Sequence, residues 1–504
     1  MSNAQSESPS PDVLSDAADE QDLILFGYPQ RLRRSMSTFT SFCLAFSMVA
    51  ITGTLGPLLG PSLAQVGGIA VFAWPLAFIG IVWVLLVFMH MAARIPVTGY
   101  AYQWASRITN PYFGWVVAFI GIVTFTTGAV SIGALLGAIM APELGLEGTP
   151  SQIIVIGIVA LTIGFILNIV GIRIATHFNN GVAVSEIIVT VIVGVLLLIG
   201  AVLFFGHSTG ISALFNHGPG GVNGQHIPTE NYIFAATAPI FALMGWEASA
   251  DLAEETIAPR LAAPKAMFRA VCLCALGGFI VMGIFIVAIP TSIADAVEQP
   301  NTLFWVVQVQ LGSFAAVIIK IVAFLSLMGC IVANIAVATR LIFSVSRDNL
   351  LPFSKQLGSV SPRFRTPVVA SIVLWAICMI INIAGGGQIF RVTAMAVIAY
   401  YLTYAATMIA VIIGDRKNRI PEVGPGHFGL GRWLVPVSVV ALLWCTIVIV
   451  AYLWPAANHY IFGYFGGAMV IGALLTIYAW SGLKSGRASV PSMEVAPPGA
   501  AHEG

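Results

Sequence analysis

Four ionisable side chains, Glu186, Glu247, Asp251 and Lys320, sit inside long apolar stretches of this sequence. An ionisable group at membrane depth costs at least about 2.5 kcal/mol, so it is retained where it carries function. Glu186 suits a proton carrier, a sodium ligand or a partner for a cationic substrate. The structural alternative is a carboxylate bonded to hydroxyls such as Ser185. Glu247 suits a substrate or proton role, or plain stabilisation by a helix N-terminus. Asp251, one turn further on, is expected to face an inner vestibule. Lys320 lies about five residues from the end of its stretch, near enough to snorkel to the surface.

Two interruptions share the same kind of segment. Thr52, Gly53, Thr54, Gly56 and Pro57 fall near the centre of the first apolar stretch, and Gly245 and Glu247 near the centre of the sixth. Where a helix breaks at Gly53, the half that follows presents free N–H groups and a positive dipole end, which attract a carboxylate. Thr54 is placed to cap that half. The half before Gly245 ends in unpaired carbonyls, from Phe241 to Met244, which suit an ammonium group. A carboxylate pole beside an ammonium pole describes an amino-acid site. For either break alone, the alternative is that glycine simply allows close helix packing.

The elements that must position these groups are membrane helices. Hydrophobic residues make up 58% of the 504 and charged residues 9%, against about 25% charged in a soluble domain. Twelve stretches are long enough to span: 38–62, 68–92, 113–140, 151–173, 181–205, 232–255, 267–290, 313–338, 367–385, 393–414, 434–454 and 460–481. With the N-terminus in the cytoplasm, all basic residues but Arg391 and Lys320 fall inside or at inner helix ends, which sets both termini inside. The two breaks lie five spans apart, so two five-helix units run in opposite senses, an inverted repeat with helices 1 and 6 discontinuous. The division is a tail at 1–36, helices 1–5 at 37–205, an outer loop at 206–231, helices 6–10 at 232–414, helices 11–12 at 415–482 and a tail at 483–504. Residues 1–22 and those after Lys484 read as disordered. Tyr400, Tyr401 and Tyr404 are placed to line an outer vestibule or to pack. Arg347 and Asp348 are a loop pair that fixes a helix end. The six cysteines read as packing residues, with no metal-ligand spacing. The net charge of +1 gives no sign of nucleic acid, and no phosphate-binding or enzyme motif occurs.

Several motifs resemble the amino acid–polyamine–organocation transporters: Gly67-Gly68 to Trp74, Pro96 to Tyr102, Gly245-Trp246-Glu247 with Ala253 to Thr256 and Pro264-Lys265-Ala266, and Arg347 to Pro352. The stretch from Asn179 to Glu186 resembles the amino acid and choline branch. The resemblance implies an all-α integral membrane protein of five plus five plus two helices with alternating access. It implies that Thr52, Gly53 and Thr54 bind the substrate carboxylate by backbone N–H, and that Ile51, Phe241 and Met244 offer carbonyls to its amine. It also implies lining positions at Thr124, Phe125 and Asn334, a lid at Phe241 and an ion-coupling position at Glu186, with Glu247 a second candidate. Leu55 departs from the pattern, since many relatives carry glycine there. The function expected is a secondary carrier for an amino acid or small amine in the plasma membrane. Coupling to a proton, exchange, or a sodium-driven choline or amine symport stay open, and a channel is the remaining alternative. The partners implied are the lipid bilayer, the substrate and a coupling ion, with no cofactor.

Overall fold

The computed structural model describes residues 23–32, 34–203 and 208–491. Residues 1–22 and 492–504 of the expected tails lie outside the described residues. Among the described residues the structure is helical, with one isolated parallel bridge between Met36 and Thr256.

The first apolar stretch forms two helices, α1 (Thr38–Met48) and α2 (Ile51–Val66). There follow α3 (Ala73–Ala92), the short α4 (Tyr100–Ile108), α5 (Pro111–Glu143), α6 (Pro150–Val170) and α7 (Ile172–Leu203). The sixth stretch is split into α8 (Thr229–Ala235), α9 (Thr237–Ala242) and α10 (Ala248–Asp251). Then come α11 (Pro259–Val287), α12 (Ile293–Val297), α13 (Thr302–Leu311), α14 (Ser313–Arg347), α15 (Ser354–Leu357) and α16 (Val368–Ala384). The last are α17 (Ile389–Arg416), α18 (Leu434–Leu453) and α19 (Tyr460–Ser485).

Local chemistry sets several starts. Ser37 and Asn110 accept the amides of Thr40 and Phe113 at α1 and α5, and Pro111 fills the first position of α5. Thr149 and Gln152 form a capping box at α6. Among the described residues nine segments are long and apolar enough to cross a membrane. One of them, Thr38–Ala92, takes in two of the twelve predicted stretches. The stretch at 232–255 is the split one, and that at 367–385 forms the 17-residue α16.

Helix α5 is the inner column. In its most apolar window 72% of residues are buried in protein, against 11% for α19. The exposed faces are themselves apolar: Ile188, Val191, Ile192 and Val195 on α7, and Met469, Val470, Leu474 and Ile477 on α19. Faces of that kind are covered by lipid. The chain is an integral membrane protein.

One end of the bundle is sealed by polar contacts. Glu255 pairs with Arg340 at 2.8 Å, and Glu254 with Arg347 at 3.1 Å. Asp251 accepts the Gly99 amide at 2.9 Å and is fully buried, so it is enclosed rather than facing a vestibule. The Tyr28 and Tyr102 hydroxyls both donate to the Asp348 carboxylate, and the Arg347 guanidinium lies 3.4 Å from the centre of the Tyr28 ring. Burial, then the Asp348 charge, pushes the Tyr28 phenol up to about 12, so it stays a donor. Arg347 reaches across to Glu254, while its neighbour Asp348 is held by the two tyrosines. The Ser489 amide donates to the Asp348 carbonyl, and Ala488 is buried. Ala488 and the Ser489 amide thus tie the segment after α19 to the bundle, where a disordered tail was expected after Lys484.

Removing one member of a buried ion pair leaves the other uncompensated, at about 3–5 kcal/mol. Arg340→Ala is expected to lower the melting temperature of the detergent-purified protein by several degrees. An unchanged melting temperature contradicts the pairing.

Candidate functional site

The first interruption falls at Val49 and Ala50, not at Gly53. Val49 ends α1 with φ −95° and ψ 12°, Ala50 turns with ψ 117°, and α2 starts at Ile51. Thr52, Gly53 and Thr54 are thus in the first turn of a helix. Thr54 does not cap it, because Ala50 holds the cap position without a side-chain bond. Gly53 serves close approach: a Cβ there would lie 2.7 Å from the Ser326 hydroxyl on α14.

The free amides at the start of α2 are where a carboxylate was expected, and a carboxylate of the protein occupies them. The Thr52 amide donates to Glu186 Oε1 at 2.8 Å, and the Thr52 and Thr190 hydroxyls are 2.5 Å apart. Glu186 and Thr190 both come from α7, one turn apart. Glu186 is buried, with the Ser326 hydroxyl and the Ile51 and Gly53 amides beside its carboxylate. Ser185, its expected structural partner, donates instead to the Val182 carbonyl.

The carbonyls that end α1 are met by thiols. Cys274 donates to Val49 O at 2.9 Å and Cys330 to Met48 O at 3.4 Å. These cysteines do more than pack. Ile51 opens α2, so its carbonyl is turned into that helix, and the exposed end of the break is Met48 and Val49 instead.

The second interruption falls where the glycine predicts it. Gly245 has φ +86°, a left-handed conformation that favours glycine. Its amide donates to the Tyr404 hydroxyl at 3.3 Å, which in turn donates to Glu247 Oε2 at 2.9 Å. Glu247 occupies the cap position of α10, is fully buried, and leaves Oε1 unpartnered. Tyr404 also stacks on Trp246, with ring centres 5.8 Å apart.

Between the two breaks lies a cavity of about 10 Å³, room for about one water. Met48 comes from the first break, Phe241 and Met244 from the second. Gly128 and Ile132 on α5, Cys330 and Asn334 on α14 and Tyr400 on α17 complete it. The Asn334 amide N–H donates to the Tyr400 hydroxyl at 3.1 Å, while its carbonyl oxygen has no partner. Of the expected site residues, Phe241, Met244 and Asn334 converge here. Thr124 does not: its hydroxyl faces α17, at 2.8 Å from both the Ala399 carbonyl and the Thr403 hydroxyl. Phe125 stands behind Tyr400, ring centres 5.5 Å apart and nearly perpendicular. Tyr400 and Tyr404 are buried at the breaks and Tyr401 is buried beside them, so none lines an outer vestibule. Lys320 pairs with Glu143 at 2.8 Å near the surface, away from the cavity.

Sequence reasoning missed Met48, Gly128, Ile132 and Cys330 as lining residues. The available signal was spacing: Gly128 and Ile132 on α5, and Cys330 and Asn334 on α14, are each four apart on one helix face.

Tyr404 holds two groups that water does not reach. Tyr404→Phe is expected to cost about 1–3 kcal/mol by stranding the Glu247 carboxylate and the Gly245 amide. Thermal unfolding of the purified variant measures this, and wild-type stability counts against the bridge.

A family model described as amino acid permease matches residues 36–475. The chain is 26% identical over 387 residues to the serine/threonine exchanger SteT of Bacillus subtilis, covering 75% of this chain and 83% of that protein. It is 24% identical to amino-acid permease 2 of Neurospora crassa, over 90% and 85% of the two chains. Amino-acid permease BAT1 of Arabidopsis thaliana is also 24% identical, over 86% and 87%. Interrupted helices meeting at a buried cavity inside a lipid-facing bundle accompany that match along most of its length. The chain belongs to the amino acid permease family, a family of transporters rather than enzymes.

Proposed function

We propose that the protein carries an amino acid across the plasma membrane as a secondary transporter working by alternating access. The observation that carries this reading is the convergence of both helix breaks on one small cavity. About 10 Å³ is too small for any amino acid, so substrate enters only after helices part on one side. The ion pairs at one end of the bundle are the natural counterpart of such an opening. On this reading the twelve stretches are spans and helices 1–5 and 6–10 form the inverted repeat at 37–205 and 232–414. Two further spans follow at 415–482, and both termini are cytoplasmic. The meeting of Tyr28 and Ser489 at Asp348 supports an even number of crossings.

Phe241, Met244, Gly245 and Asn334 then bind the substrate with Met48 and Tyr400, and the start of α2 receives the carboxylate once Glu186 yields it. Glu186 is the coupling residue. A proton arriving at its carboxylate weakens its hold on the Thr52 amide, which frees that amide for the substrate. Exchange is the second mode, favoured by the similarity to a relative named as an exchanger.

The test is uptake of labelled amino acids and amines, choline included, into proteoliposomes with proton and sodium gradients imposed separately. Glu186→Gln is expected to lose at least tenfold of proton-driven accumulation while exchange between equal internal and external substrate persists. Undiminished proton-driven accumulation in that variant rejects Glu186 as the coupling group. A sodium requirement in the wild type rejects the proton.

A further inference from the structure

We infer that the cavity between the breaks selects amino acids with uncharged side chains, with Gly128 setting the size admitted and Asn334 the charge. This rests on the proposal that the cavity is the substrate site and adds the class of substrate.

The lining contains no carboxylate, ammonium, guanidinium or imidazole. Met48, Ile132, Phe241 and Met244 make it largely apolar. The two nearby carboxylates each hold one oxygen on another group, outside the lining. Glu247 lies behind Tyr404, whose hydroxyl bonds its Oε2, and Glu186 lies on the Thr52 amide. Neither belongs to the lining. A charged side chain brought here loses its water and meets no counter-charge, which is strongly unfavourable.

The polar provision is small and uncharged: the Asn334 amide and the Tyr400 hydroxyl. Asn334 is about 1% exposed, one N–H of its amide donates to Tyr400, and its Oδ1 has no partner. An orphaned buried carbonyl accepts one N–H or O–H from a bound molecule. It does not neutralise a full charge. Gly128 faces the same spot from α5. A Cβ there would lie 2.9 Å from Asn334 Nδ2 and 3.1 Å from the Tyr400 ring. A methyl group at that position therefore presses on the Asn334 amide nitrogen and the Tyr400 ring and takes space from the cavity. One methylene in a close-fitting pocket changes discrimination by roughly 10- to 200-fold.

The experiment is competition in proteoliposomes containing the full chain. Labelled substrate is challenged with glycine, alanine, serine, leucine, methionine, lysine, arginine and glutamate. The uncharged set is expected to compete at least tenfold better than the charged set. Gly128→Ala is expected to weaken leucine and methionine at least tenfold more than glycine and alanine. Asn334→Asp, nearly the same shape, is expected to raise lysine or arginine relative to leucine by at least tenfold. Lysine, arginine or glutamate competing in the wild type as well as the best uncharged amino acid overturns the inference while leaving amino-acid transport standing. Absence of uptake, together with no thermal shift from any amino acid, overturns both. If either variant fails to fold, the wild-type panel alone decides.

Discussion

A helix cannot stop inside a low-dielectric slab without leaving backbone N–H and C=O groups unpaired, at several kcal/mol each. This molecule stops two, and the rest of the interior is arranged around that debt of hydrogen bonds. Glu186 on α7 takes the Thr52 amide, Cys274 on α11 and Cys330 on α14 take the last carbonyls of α1, and Tyr404 on α17 takes the Gly245 amide. Four separate helices are thereby referenced to two breaks. A substrate that binds at the breaks must exchange its own polar groups for these, so binding and helix position are linked through the same few atoms.

Much of the architecture was readable from composition, because a stretch of about 20 apolar residues has few other uses. The second break was readable because Gly245 needs a left-handed φ. The first was misread by about one turn. Gly53 looked like a hinge and is instead a point of contact with Ser326, and nothing in the local sequence separates those two uses of glycine. The ionisable residues were visible as anomalies, but their partners were not. Glu186 meets a backbone amide 134 residues away, and such a pairing carries no residue-type signature. The cysteines were discounted for the same reason, since their acceptors are main-chain carbonyls.

The breaks and the sealed end of the bundle are built on different chemistry. At the breaks the contacts are neutral or singly charged, and several buried oxygens lack partners. At the sealed end the charges are paired, and an aromatic ring from the N-terminal segment is clasped by Arg347. A network of paired charges resists rearrangement, whereas uncharged contacts with orphaned groups between them are poised to accept new ones. Stability and responsiveness are therefore placed in different parts of the same helices, notably α14, which carries Asn334 at one level and Arg340 at another.

Asp348 gathers its contacts from residues 28, 102 and 489. A ribosome releases these in that order, and the last of them only after α19 has been made. During synthesis the Tyr28 and Tyr102 hydroxyls are available from early on, but the closing backbone contact waits for the final few residues of the described chain. This face is therefore completed only after α19 and the segment that follows it have been made.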